Sequence, residues 1–218
     1  MKLVFIGGTG PEGLGLAIRF AAAGHEVRIG SRSESRGREA ADKVRAAVPE
    51  AAALGGSNEA VVSDADVVFL TFPYVGQKST LETLAPDLAG KIVCSVVAPL
   101  KFEKGVGAVA VSVDGNSAAE ECAAQLPDSR VVSAFQNMPA DRLQDLKQSI
   151  PADVLVCGAD TDAKQVIIEL AGQIDGVRGI DSGGLFNSRY VEMLTSLLIN
   201  LNRIHKTESS IRIVGIGA

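Results

Sequence analysis

One feature constrains the fold of this chain more than any other: a glycine-rich turn wedged between a buried-strand pattern and a helical one. Leu3, Val4, Phe5 and Ile6 form a short apolar run, which enters Gly7-Gly8-Thr9-Gly10-Pro11-Glu12-Gly13 directly. Gly8, Gly10 and Gly13 fit the G-x-G-x-x-G spacing. The first glycine permits the tight turn, the second lets backbone approach a diphosphate, and the third lets helix pack on strand. Leu14, Ala17, Ile18 and Ala21 then recur at helical spacing, with Pro11 suited to the first turn. Taken alone, the glycines also fit a purely structural turn. The strand before and the helix after make them a dinucleotide site whose phosphates sit on the helix N-terminus.

The end of the next strand discriminates between nicotinamide cofactors. A binder of the non-phosphorylated form places a carboxylate there to take the ribose hydroxyls. Here the strand His25-Glu26-Val27-Arg28-Ile29-Gly30 ends in glycine, followed by Ser31, Arg32 and Arg36. A hydroxyl and two guanidiniums suit a 2′-phosphate, which arginine grips as a planar fork. The competing reading leaves Arg32, Arg36 and Arg38 as solvated residues of a loop and helix start. The expectation is NADP(H).

Strand and helix patterns alternate along the chain. Strands are expected near 2–7, 25–30, 66–72, 91–97, 130–135, 153–158 and 177–181, with a short one near 52–56. Helices are expected near 11–23, 34–47, 58–63, 76–86, 117–126, 160–173 and 187–204. The pattern implies an α/β fold: a doubly wound, Rossmann-type, mostly parallel sheet, with a smaller C-terminal α/β segment ending in a long helix. Residues 1–150 read as the dinucleotide-binding domain. Residues 151–218 read either as a small domain completing the substrate cleft or as an extension of the sheet. The stretch 101–116, with Gly105, Gly107 and Gly115, reads as a lid or connector. With 46% hydrophobic residues, 4% aromatics and no tryptophan, the core is expected to be aliphatic.

In an open α/β sheet, ligands lie beyond the carboxyl ends of the strands. That rule selects the loops 7–13, 30–36, 71–76, 97–101 and 135–140. The candidate cofactor-binding residues are therefore Gly8, Thr9, Gly10, Pro11, Glu12, Ser31, Arg32, Arg36, Thr71, Phe72, Pro73, Gly76, Val97, Ala98, Gln136 and Ala140. Taken singly, each loop could equally be an ordinary turn at a sheet edge.

Several function classes are disfavoured. A net charge of −5 argues against general nucleic-acid binding. No apolar run is long enough for a membrane span, and the first residues read as a strand rather than a signal peptide, so a cytoplasmic protein is expected. Cys94, Cys122 and Cys157 are odd in number and far apart, as expected of reduced thiols. No metal-ligand spacing, Ser-His-Asp set, Walker lysine or Tyr-x-x-x-Lys pair is visible; Leu194 stands four places after Tyr190. No catalytic acid or base is assigned. Hydride transfer between a nicotinamide and a second heterocycle needs none, only two rings held together with water excluded.

Gly7-Gly8-Thr9-Gly10, Gly30-Ser31-Arg32, Thr71-x-Pro73, Ser117-Ala-Ala-Glu120, Ile174-Asp175-Gly176 and Asn187-Ser188-Arg189-x-Val191-Glu192 together resemble the NADPH-dependent coenzyme F-420 reductases, over nearly the whole chain. The resemblance implies reversible hydride transfer between NADP(H) and an 8-hydroxy-5-deazaflavin. It also implies that Thr9 to Glu12 line the diphosphate and that Ser31, Arg32 and Arg36 take the 2′-phosphate. Phe72, Pro73, Gly76, Ala98 and Ala140 would border the nicotinamide, with the deazaflavin tail reaching Lys101, Lys104 or Arg203. Pro11-Glu12 departs from the family's Asn-Leu: proline removes a phosphate donor, and Glu12 is expected to turn away. Gln136 stands where a histidine is familiar. The alternatives are an NADP(H)-dependent reductase of an imine, a flavin or ferric iron, and a non-catalytic NADP(H) sensor. Val191, Leu194, Leu197, Leu198, Leu201 and Ile204 spread over more than one helix face, to be buried within the chain or against a second subunit, and of the two a homodimer is expected.

Overall fold

The computed structural model describes residues 1–113 and 116–216 of the chain. In chain order the strands are β1 (Lys2–Ile6), β2 (Glu26–Ser31), β3 (Ala53–Ser57), β4 (Val67–Leu70), β5 (Ile92–Ser95), β6 (Leu100–Glu103), β7 (Gly107–Ala110), β8 (Arg130–Ser133), β9 (Ala152–Gly158) and β10 (Val177–Asp181). The helices are α1 (Pro11–Ala22), α2 (Glu34–Ala47), α3 (Asn58–Val61), α4 (Gln77–Leu88), α5 (Ala118–Gln125), α6 (Ala140–Gln144), α7 (Thr161–Gly172) and α8 (Ser188–His205).

Eight strands form one sheet in the order β10-β9-β8-β5-β4-β1-β2-β3. From β3 to β8 every pairing is parallel. Chain order reverses beside β1, which pairs with β2 on one side and β4 on the other, and this opens the crevice where doubly wound sheets bind ligands. β9 turns antiparallel to β8, and β10 runs parallel to β9. The strands of residues 151–218 thus continue the same sheet. Asp153, at the start of β9, is fully buried and takes both Arg178 nitrogens at 2.7 Å and the Ile213 N–H at 2.7 Å, which anchors the C-terminal segment.

Alternation along the strands supplies both layers. Leu3, Phe5, Val27, Ile29, Val67 and Phe69 face one side, where Leu16 and Phe20 pack on them. Val4, Ile6, Val68, Leu70 and Val93 face the other, under Leu81, Leu84, Leu88 and Cys122. Each such side chain contributes about 1.5–3 kcal/mol on burial.

The wholly aliphatic core expected from composition needs correction. Four of the seven phenylalanines converge on one face, with ring centroids 4.9 Å apart for Phe5–Phe69, 5.5 Å for Phe20–Phe69 and 6.0 Å for Phe69–Phe135. A scarce residue type is concentrated where one aromatic from each of four segments can meet.

The stretch expected as a lid or connector, 101–116, contains most of a two-stranded antiparallel hairpin, β6–β7; Gly115 lies outside the described residues. Asn200 of α8 docks this hairpin, accepting from the Ala108 N–H at 3.0 Å and donating to its carbonyl at 2.8 Å. α6 is a further element that periodicity did not reveal. Among the described residues, no helix is long and apolar enough to cross a membrane.

Candidate active site

The glycine turn is built by sterics at Gly7 and Gly8. Gly7 has φ +70, and a Cβ there would lie 2.8 Å from the Phe72 Cβ. At Gly8 a Cβ would lie 2.6 Å from that of Phe5, while its N–H donates to the carbonyls of Phe5 (3.2 Å) and Gly30 (3.1 Å). The turn is therefore tied to the end of β2. By contrast, Gly10 faces open space: nothing lies within 4 Å of a Cβ placed on it. It occupies the N-cap of α1 in extended geometry, with no side chain capping the helix. The unsatisfied N–H groups of the first turn consequently open outward, which is the arrangement an anionic diphosphate needs.

Beside this end, β2 delivers buried Ser31, and the chain turns into α2 with the Ser33 N–H donating to Ser31 Oγ at 3.3 Å. Arg32 and Arg36 are exposed, line the cleft and form no ion pair among the described residues. Arg38 differs, since it pairs with Glu34 and does not line the cleft. Two guanidiniums beside a serine hydroxyl make this corner positively charged, with the group types that suit a phosphate.

The opposite wall is apolar. Thr71 Oγ1 donates to the Ile6 carbonyl at 3.0 Å, and Phe72, Pro73 and a short 3-10 turn (Tyr74–Gly76) follow. Val96, Val97, Ala98, Leu100 and Phe102 complete the wall. A single cleft of about 960 Å³ joins the glycine turn, the arginine corner and this wall. Thirteen of the sixteen candidate residues line it. Gly8 lies beneath its floor, and Gln136 and Ala140 stand away from its lining. Gln136 is buried, its Nε2 donating to the Ser95 carbonyl (3.1 Å) and to Ser133 Oγ (2.7 Å), while Thr195 of α8 donates to its carbonyl (3.0 Å). Ala140 begins α6, which packs on α1 so closely that a Cβ at Gly15 would lie 2.5 Å from the Leu143 Cβ. Arg203 donates to the Val106 carbonyl at 2.7 Å, and Lys101 pairs with Glu103 at 2.8 Å.

Residues absent from the candidate set also line the cleft, among them Asn58, Ser33, Thr80 and Phe102. Asn58 accepts from the Gly7 N–H at 3.3 Å and so pins the turn from the neighbouring β3 end. Its role depends on β3 lying beside β2, which no local pattern encodes.

The lip of the cleft is tied to the C-terminal part through α5. Tyr74 donates to Glu121 Oε2 at 2.7 Å, and Gln77 Nε2 donates to the Ala118 carbonyl at 2.9 Å. The N-terminus of α5 carries a complete capping box between Ser117 and Glu120. Glu192 of α8 closes it further, accepting from the N–H groups of Ala118 (2.8 Å) and Ala119 (3.1 Å). Burial raises the Glu192 carboxyl to about 7 against the pull of those two donors, and Glu120 and Glu121 add to the rise. Arg189 reaches Glu120 at 3.0 Å and lies over the Phe186 ring at 4.1 Å. Burial alone holds the Glu12 carboxyl well above the usual range. All three cysteines are unpaired and buried, with thiols pushed up to about 12 at Cys122 and about 11 at Cys157, so none is an activated nucleophile.

An open helix end, a phosphate corner and an apolar wall on a doubly wound sheet define a dinucleotide-dependent oxidoreductase. Comparison with known proteins gives the family. Residues 2–99 match the family model described as "NADP oxidoreductase coenzyme F420-dependent". The chain is 42% identical to the F420-dependent NADP reductase of Methanocaldococcus jannaschii, covering 99% of each chain. It is 40% identical to the F420-dependent NADP reductase of Methanothermobacter thermautotrophicus, over 99% of this chain and 96% of the other. A solved structure from Arthrobacter sp. FB24, provisionally described as an F420-dependent NADP reductase, superposes with a TM-score of 0.83 at 27% identity, covering 98% and 99% of the two chains. The chain belongs to the F420-dependent NADP reductase family.

Proposed function

We propose that this protein transfers a hydride directly between NADP(H) and the 8-hydroxy-5-deazaflavin coenzyme F-420. The observation that carries the reading is the single cleft in which an uncapped helix N-terminus, two arginines without an ion pair among the described residues and an apolar wall meet. Thr9, Gly10 and the first turn of α1 hold the diphosphate, and Ser31, Arg32 and Arg36 hold the 2′-phosphate. Thr71, Phe72, Pro73, Gly76, Val97 and Ala98 border the nicotinamide, with Gln136 and Ala140 supporting these loops from behind. The bound nicotinamide supplies or accepts the hydride. The chain orients the two rings and keeps water out, which is where most of the acceleration arises. No side chain is assigned a proton-transfer role.

Residues 1–150 act as the dinucleotide-binding part and residues 151–218 complete the substrate side. The protein works in the cytoplasm, in keeping with three reduced thiols, and binds no nucleic acid, in keeping with its net charge of −5. It works as a homodimer. Phe186, Tyr190, Met193, Leu197 and Ile204 are each more than half exposed along one helical stretch, an apolar face suited to a second copy.

The test is to mix the protein with NADPH and oxidised deazaflavin and follow the deazaflavin absorbance. Bleaching at a catalytic rate is expected. Turnover only with an imine, a free flavin or a ferric chelate would move the acceptor to another class, and NADPH binding without any acceptor would make the protein a sensor.

A further inference from the structure

Glu12 occupies an unusual place in this cleft. It is the second residue of α1, directly after Pro11, at the open helix end, and it is among the residues that line the cleft. Its Oε1 is buried and has no hydrogen-bond partner among the described residues. A carboxylate at a helix N-terminus is ordinarily welcome, because it complements the positive end of the helix. Here a diphosphate would compete for the same N–H groups and would place further negative charge beside it. Pro11 adds a second difficulty, since it deletes one backbone donor from the turn that must hold the phosphate oxygens.

The charged and titratable groups around Glu12 do not relieve it. Arg32 and Arg36 lie on the α2 side of the cleft, and Tyr74, on the opposite lip, donates to Glu121. α6, packed on α1, brings Asp141 and Arg142, and Arg142 is paired with Glu208. On α1 itself, Arg19 is spent on the four carbonyls of Arg142, Leu143, Asp145 and Gln148. None of these groups forms an ion pair with Glu12 among the described residues.

We propose that Glu12 meets the diphosphate of the dinucleotide as a neutral acid, its O–H donating to a phosphate oxygen in place of the donor that Pro11 removes, so that binding takes up a proton from solvent at any pH where free Glu12 is ionised. This rests on reading the cleft as a dinucleotide site. The step breaks no covalent bond in the cofactor: one proton moves from water to a carboxylate oxygen, and one hydrogen bond to a phosphate oxygen forms. Burial without a partner already favours the neutral form before the cofactor arrives.

The experiment is titration calorimetry of the full chain with NADP⁺, in buffers of differing ionisation enthalpy, from about pH 6 to about pH 9. The 2′-phosphate has a second pKa near about 6 and exchanges protons of its own. The difference between wild type and Glu12→Gln isolates Glu12. Wild type is expected to take up as much as one more proton per NADP⁺ than Glu12→Gln at the alkaline end, with its Kd rising about tenfold per pH unit once free Glu12 ionises. Glu12→Gln, which keeps a permanent donor, should lose that pH dependence. Glu12→Leu, which keeps the apolar bulk but no donor, should bind about tenfold more weakly than wild type near pH 6, in line with the loss of one hydrogen bond to a charged group. Equal proton uptake in wild type and Glu12→Gln, or wild-type affinity in Glu12→Leu, would overturn the assignment while leaving the cleft a dinucleotide site. Absence of NADP⁺ binding by the wild type would overturn the reading of the cleft itself.

Discussion

Two helix N-termini, about a hundred residues apart in the chain, receive opposite treatment. The first turn of α1 has glycine at its cap, proline after it and no side chain satisfying its N–H groups. The first turn of α5 has a complete capping box and a buried carboxylate from α8 on two of its amides. Both ends present the same orphan donors. One end is closed by the protein's own oxygens and becomes a joint that ties Tyr74 and Gln77 at the cleft lip to α8. The other is left open beside two arginines that form no ion pair among the described residues, and it is there that we propose an external anion binds. What distinguishes a binding site from a structural joint is therefore which donors the fold leaves unmet.

The largest way to break this contrast is to open the closed end. Glu192 is 2% exposed, and Glu192→Ala strands two buried amides, each costing about 1–3 kcal/mol. The thermal midpoint should fall by roughly 5–15 °C for a chain of this size, measured by scanning calorimetry. An unchanged midpoint would show that α8 does not hold α5.

The same group gives a pH signature. Its folded pKa of about 7 stands above the ordinary 4.5, so protonation favours the folded state. Between those values the unfolded chain ionises before the folded one does. Stability from this group should therefore decline as pH rises from about 4.5 to about 7, by up to about 3 kcal/mol, and level off above that. Glu12 contributes in the same direction, and Glu192→Gln isolates the share of Glu192. A shallower pH dependence of denaturant stability in Glu192→Gln is expected, and an identical slope would remove Glu192 as the cause.

At the open end, Arg32→Ala should raise the KM for NADPH by roughly 10–100-fold, since a charge-assisted contact contributes about 1.5–3 kcal/mol. The KM for NADH should stay about the same. Equal losses with both cofactors would move the 2′-phosphate elsewhere. The smallest effect belongs to Gln136, which lies outside both helix ends. Gln136→Ala removes two hydrogen bonds from a buried loop and no assigned chemistry, so turnover should remain within about tenfold of wild type. Complete loss of turnover with normal NADP⁺ binding would reveal a chemical role for that side chain.

The open end was legible in the sequence because everything that makes it open is local. The glycines, Pro11, and the Gly30-Ser31-Arg32 exit from β2 lie in one βαβ unit, where spacing alone carries the geometry. The six parallel strands were legible for the same reason, as short apolar runs between helical patterns. The closed end was only half legible. Ser117 and Glu120 stand at capping-box spacing, but Glu192 comes from 74 residues away, and helical periodicity does not say which amides a buried carboxylate will meet. Asn58 escaped notice similarly, since it acts on Gly7 across a strand end. In sequence the β6–β7 hairpin reads as a lid or connector because its strands are short, have a single buried residue and are glycine-flanked, and α8 rather than the sheet holds it in place. Charge alone directs Glu12 away from the phosphates, and it says nothing of the burial that leaves Glu12 Oε1 without a partner among the described residues.

The most direct test compares the two helix ends in one titration. Unlabelled NADP⁺ is added to isotopically labelled protein, and the amide resonances of Gly8 to Gly13, Ser31 to Ser33 and Ala118 to Glu120 are followed. The account predicts large saturable shifts at the α1 turn and the β2 exit, with the capped α5 amides essentially unmoved. Shifts centred on Ala118 to Glu120, with the glycine turn silent, would contradict it.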